Sequence, residues 1–115
     1  MTVTIYHNPR CSKSRQTLQL LRERGHEPEI VEYLQNPPSA AELGRILDLL
    51  GKAPRELMRP KEAPYKELGL SDQSKDRDAL IAAMVANPIL IERPIVVAGD
   101  KAAVGRPPET VLEIL

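Results

Sequence analysis

A mixed α/β fold is predicted for this chain: one four-stranded sheet with helices packed on it, and a helical block set between a β-α-β half and a β-β-α half. Three observations predict it. A β-branched run at Thr2–Tyr6, a helical stretch ending before Gly25 and an extended run at Glu29–Tyr33 fall within roughly 30 residues, the size of a βαβ unit with parallel strands. Pro94–Ala98 and Ala102–Val104 flank Ala98-Gly99-Asp100-Lys101, which reads as a hairpin turn. The stretch between these halves carries helical rather than strand periodicity.

Taken in order, Thr2–Tyr6 is short and β-branched, hence a strand, and Asn8-Pro9-Arg10 is a turn. A helix is expected to start near Cys11 or Ser12 and to run to about Arg24, with Leu18, Leu20 and Leu21 as its apolar face and Gly25 as its stop. Ser39–Glu42 forms a capping box after Pro37-Pro38, and Leu43, Ile46, Leu47 and Leu50 then recur at helical spacing up to Gly51. Pro54, Pro60 and Pro64 break residues 53–70 into short helical turns. Lys75–Val85 is a further helix with Leu80, Ile81, Met84 and Val85 on one face, and Pro107-Pro108 opens a final one carrying Val111, Leu112, Ile114 and Leu115.

The 115 residues fit a single domain, 1–115, and no internal repeat or linker divides them. Phe and Trp are absent and Tyr occurs three times, so the core is expected to be aliphatic. Lys plus Arg and Asp plus Glu both number 16, and this balance gives no long-range attraction to nucleic acid or to an acidic membrane. With one Cys there is no internal disulfide, and no apolar run resembles a signal peptide or a membrane span, so the cytoplasm is the expected compartment. Two separated His and one Cys form no metal-ligand cluster.

Chemistry concentrates in His7-Asn8-Pro9-Arg10-Cys11-Ser12-Lys13-Ser14-Arg15. Cys11 falls where a strand ends and a helix begins. Unpaired backbone N–H groups and the positive end of the helix dipole there favour a thiolate and can also bind an oxyanion. Arg10, Lys13 and Arg15 add positive charge nearby, so Cys11 reads as an activated nucleophile rather than a small buried residue. Ser14 stands where a Cys-x-x-Cys motif would place its second thiol, so a turnover that oxidises Cys11 needs an outside thiol. His7 reads either as a group that tunes the thiolate or moves a proton, or as a polar strand end in water.

The nonapeptide resembles the active-site loop of the glutaredoxin-linked arsenate reductases, the ArsC family. Leu57-Met58-Arg59 with Pro64-Tyr65-Lys66-Glu67-Leu68-Gly69-Leu70, then Asn87-Pro88 through Arg93-Pro94-Ile95, and finally Gly105-Arg106-Pro107-Pro108-Glu109 resemble that family's later segments. The resemblance implies a thioredoxin-like fold, a Cys11 nucleophile, His7 beside the catalytic loop, an oxyanion held by Arg59, Arg93 and Arg106, and a cis Arg93-Pro94 bond. Arginines suit that task, because an anionic thiolate repels an anionic arsenate and guanidiniums both neutralise and fork-bind the oxygens. The implied reaction reduces arsenate to arsenite through a thiol-arsenate adduct resolved by glutathione as co-substrate and by glutaredoxin. No bound cofactor and no metal are implied, and a monomer is expected. Two other readings stand beside it: a glutathione-dependent thiol-disulfide oxidoreductase, and an RNA-polymerase-binding regulator of the Spx type, against which Ser14 in place of a second Cys speaks.

Overall fold

In the computed structural model, which describes residues 2–115, the chain divides into two compact units. One joins the N-terminal residues up to Asn36 with Arg93–Leu115, and the other is Pro37–Glu92.

The first unit holds β1 (Val3–His7), α1 (Ser12–Glu23), β2 (Glu29–Glu32), β3 (Ile95–Ala98) and β4 (Lys101–Val104). They form a four-stranded sheet in the order β2-β1-β3-β4. β1 runs parallel to β2 and antiparallel to β3, and β3 runs antiparallel to β4, so the sheet is mixed as the sequence predicts. Ile5 in the centre of β1 faces Ile30 on one side and Val96 on the other, and is fully buried. Val3, Ile5, Leu21, Val96, Ala98, Ala103 and Val111 make an aliphatic core. Tyr6 and Tyr33 are buried too, so the aromatic residues are not confined to the surface. Truncating Leu21 to Ala would cost about 2–5 kcal/mol, the usual range for a buried leucine.

The buried face of α1 differs from the expected leucine face. It consists of Ser14, Thr17 and Leu21, with Leu18 at its border, while Leu20 is only half-buried. At about 100° per residue, positions 14, 17, 18 and 21 share one side and position 20 lies well round the helix. The helix expected behind Pro107-Pro108 is a 3₁₀ helix, Pro108–Ile114, that buries Val111. Both Arg93-Pro94 and Arg106-Pro107 are cis. The first is the bond implied by the family resemblance.

The second unit is the expected helical block. It contains α2 (Ala40–Leu50), α3 (Ala63–Glu67) and α4 (Arg77–Ala86), with 3₁₀ turns at Pro54–Leu57 and Pro88–Leu90. Ser39 caps α2 by accepting the Glu42 N–H at 3.1 Å, and Gly51 ends it at φ 66°, a conformation that costs glycine little. α4 begins at Arg77 rather than Lys75 because the Asp76 carboxylate accepts the Ala79 N–H at 2.8 Å and fixes the first turn there. Leu43, Ile46 and Leu47 of α2 and Leu80, Ile81 and Met84 of α4 are buried, and Arg77 ties the two helices by donating to the Gly44 carbonyl and the Asp48 carboxylate. No helix among the described residues is long and apolar enough to cross a membrane.

Candidate active site

The strand-to-helix turn that carries Cys11 is built around Asn8. Its carbonyl accepts the Cys11 N–H at 3.0 Å, closing a turn with Pro9 at the second position. Its side-chain oxygen accepts the Arg10 N–H at 3.0 Å, and its own N–H donates to Ser14 Oγ at 3.0 Å. The Arg15 guanidinium donates to the Pro9 carbonyl at 2.9 Å. Cys11 is thereby held as the N-cap of α1 in extended conformation, nearly buried with a small exposed remainder.

Burial pushes the Cys11 thiol upward, but four influences outweigh it: the Ser14 N–H, the Arg93 charge, the Lys13 N–H and the Arg106 charge. The net result is a thiol pKa below the ordinary value. The thiol makes no capping hydrogen bond of ordinary geometry. The two amides at the helix start instead face the sulfur and favour its anionic form. The charge supplied to the sulfur differs in origin from the expectation. Lys13 acts through its backbone, the Arg15 side chain is turned to Pro9, and the guanidiniums that act on the thiol come from Arg93 and Arg106, far along the chain.

Arg93 and Arg106 are linked to each other. Arg106 Nε donates to the Arg93 carbonyl at 2.8 Å, which leaves Nη2 3.7 Å from Cys11 Sγ. Arg93 withdraws its Nε and Nη1 from solvent. Its charge lowers the Cys11 thiol pKa, and its carbonyl holds Arg106 Nε. Gly105 sets the backbone for this contact: its N–H donates to the Pro94 carbonyl at 2.9 Å, next to the cis bond.

His7 ends β1 and is buried. Its Nδ1 lies 2.6 Å from Ser14 Oγ. Burial lowers its pKa, the Glu32 carboxylate raises it, and Arg15 and Arg22 lower it; the outcome is a value below the ordinary one. The structure therefore places His7 inside the fold, not at a strand end in water.

Four predicted site residues, His7, Cys11, Arg93 and Arg106, lie in the first unit. Arg59 belongs to the second, where its guanidinium pairs with Glu62 at 3.6 Å and Glu92 at 3.9 Å and its N–H donates to the Leu90 carbonyl at 2.8 Å. Two contributors were not legible as site residues, Ser14 and Gly105. The signal for Ser14 was present: it shares a helix face with Thr17 and Leu21, so small polar side chains occupy an inward-facing side. Among the described residues no three His, Cys, Asp or Glu side chains converge as a metal site.

The ArsC family pattern matches residues 6–114. The chain is 63% identical over 114 residues to the Escherichia coli K12 protein YfgD, described as uncharacterized, with 98% of this chain and 96% of that one covered. It is 53% identical over 114 residues to an arsenate reductase of Neisseria meningitidis, with 98% and 97% covered. Among solved structures, an arsenate reductase from Vibrio cholerae superposes with a TM-score of 0.96 at 55% identity, covering 100% of this chain and 98% of that one. With its sheet order, its Cys11 loop and nearly its whole length accounted for, the chain belongs to the ArsC family.

Proposed function

We propose that this protein is an arsenate reductase, with Cys11 as the nucleophile. The observation that carries the reading is the Cys11 sulfur at a helix start with Arg106 Nη2 3.7 Å away and Arg93 holding Arg106 in place. A thiolate at that position faces the partial positive charge of the helix end and two guanidiniums, the setting in which an oxyanion is both bound and made attackable.

In the reaction, arsenate binds at the helix start and against Arg93 and Arg106. By the match between Leu57-Met58-Arg59 and the family's middle segment, Arg59 is a further candidate for binding the oxyanion. The Cys11 thiolate forms a sulfur–arsenic bond and one arsenate oxygen leaves as water, with no change of oxidation state. Glutathione displaces a second oxygen in the same way. A glutaredoxin thiolate then attacks the glutathione sulfur, and the electron pair of that sulfur–arsenic bond passes to arsenic, reducing As(V) to As(III). Water releases arsenite and restores the Cys11 thiol. Ser14 stands in the place of a second local thiol and its hydroxyl is turned to His7, which is why the reducing thiols come from outside. The scheme uses no bound cofactor. It calls for a compartment that keeps glutathione reduced, and we place the protein, as a monomer, in the cytoplasm.

The test is arsenate-dependent NADPH consumption in the presence of glutathione, glutaredoxin and glutathione reductase. Wild-type protein should support it and Cys11→Ser should not. Equal rates for the two would place the chemistry elsewhere.

A further inference from the structure

We propose that Ser14 is a positioning residue that acts through two neighbours at once: its hydroxyl fixes His7 as the neutral Nε2–H tautomer, and the same anchorage holds the Ser14 amide against the Cys11 sulfur. The hydrogen-bond inventory carries this. Ser14 Oγ accepts the Asn8 N–H at 3.0 Å and lies 2.6 Å from His7 Nδ1, and among the described residues it makes no third hydrogen bond. The hydroxyl has one proton to give, and Nδ1 is the acceptor within reach, so Nδ1 is unprotonated and Nε2 carries the ring proton. The side chain is fully buried, so water does not offer an alternative partner. Glu32 of β2 and Arg15 and Arg22 of α1 are the charged groups that act on the ring, and they pull in opposite directions. The hydroxyl bond to the neutral form adds to burial in opposing protonation.

Two consequences follow. As a neutral ring, His7 adds no positive charge beside the Ser14 and Lys13 amides and Arg93 and Arg106, the groups that lower the Cys11 thiol pKa. His7 is also not a free base at Nδ1, since that nitrogen is occupied by Ser14. Ser14 instead ties the end of β1 to the first turn of α1 from within: Asn8 and His7 bind its side chain while its amide faces the nucleophile.

The inference concerns the resting protein and is tested without arsenate, so its failure is separable from failure of the proposed reaction. Imidazole nitrogen NMR across pH reads the His7 tautomer, and iodoacetamide alkylation across pH reads the Cys11 thiolate. In the wild type, Nδ1 should be the unprotonated nitrogen, with a titration midpoint below ~6.5. Ser14→Ala should mix the tautomers, raise that midpoint, and move the Cys11 alkylation midpoint upward, slowing alkylation severalfold at neutral pH. Ser14→Thr, which restores a hydroxyl, should recover the Nε2–H signature. An Nδ1–H tautomer in the wild type, or a Ser14→Ala protein whose His7 and Cys11 profiles both match the wild type, would overturn the proposal.

Discussion

Gly105 and Thr17 approach so closely that a Cβ on Gly105 would stand 2.5 Å from Thr17 Oγ1 and 2.9 Å from Pro94 Cγ. Thr17 cannot easily turn aside, because its hydroxyl donates to the Lys13 carbonyl at 2.8 Å within α1. Glycine is required here by space. Gly105→Ala should therefore cost about 1–3 kcal/mol, the range for overpacking a tight site. It should also shift Arg106, the next residue, away from Cys11 and slow alkylation of the thiol. Thr17→Ala removes the obstructing oxygen, so the double variant should recover stability beyond the sum of the single effects in a denaturation cycle. Strict additivity would show that the contact does not constrain residue 105.

Cys11 links the site to pH. Its folded pKa is depressed, chiefly by the Ser14 amide and Arg93 acting against burial. Between that value and the unfolded thiol's ~8.5, the unfolded chain retains a proton that the native protein has released, so stability rises with pH across the interval. Below the folded pKa the contribution is absent, and above ~8.5 it is complete. The stability difference between wild type and Cys11→Ser should thus grow from the acid side toward that limit, measured by urea denaturation at several pH values. A difference that stays flat would mean that Cys11 titrates as an ordinary thiol.

His7 acts on the acid side. Its folded pKa is lowered, chiefly by burial, so as pH falls through ~6.5 the unfolded chain takes up a proton that the native protein refuses. Stability is then lost progressively down to the folded pKa. His7→Gln keeps an acceptor for the Ser14 hydroxyl and has nothing to titrate. It should lose less stability than the wild type between about pH 7.5 and 5. Parallel losses in the two proteins would assign the acid sensitivity to other groups.

The division between what the sequence disclosed and what it concealed follows the range of the interactions. Ser39, Gly51 and the Asn8-Pro9 turn act on backbone groups within four residues, and each was readable from local spacing. Cys11 was readable for the same reason, since a strand followed by a turn and a helix fixes a helix start. The source of its positive charge was not. Arg10, Lys13 and Arg15 are close in sequence, yet the guanidiniums that act on the sulfur, Arg93 and Arg106, arrive through the sheet and its hairpin. Their positions came from the family motifs, not from periodicity. Ser14 and Thr17 were concealed by their polarity, because a face pattern scored on leucines points to Leu20 and passes over small polar residues that fit a close contact.

The arginine pair offers the most demanding test of the anion site. Arg106 performs two tasks with one guanidinium, Nε on the Arg93 carbonyl and Nη2 toward Cys11 Sγ. Lysine retains the charge but has a single nitrogen at the end of a flexible stem, so it cannot satisfy both ends of that span. Arg106→Lys should accordingly lower kcat/KM for arsenate severalfold, and Arg106→Ala should lower it further. Arg93→Ala removes a charge close to the thiol while leaving the carbonyl that Arg106 uses, so it should reduce kcat/KM and also raise the Cys11 alkylation midpoint. Charge-assisted hydrogen bonds contribute ~1.5–3 kcal/mol each, which sets the expected alanine losses at about tenfold to a hundredfold. Steady-state arsenate kinetics in the coupled assay, run beside alkylation profiles, separate the two roles. Unchanged arsenate kinetics in both alanine variants would refute the anion site, and loss of arsenate reduction with retained activity on a glutathionylated protein would favour the thiol-disulfide oxidoreductase reading instead.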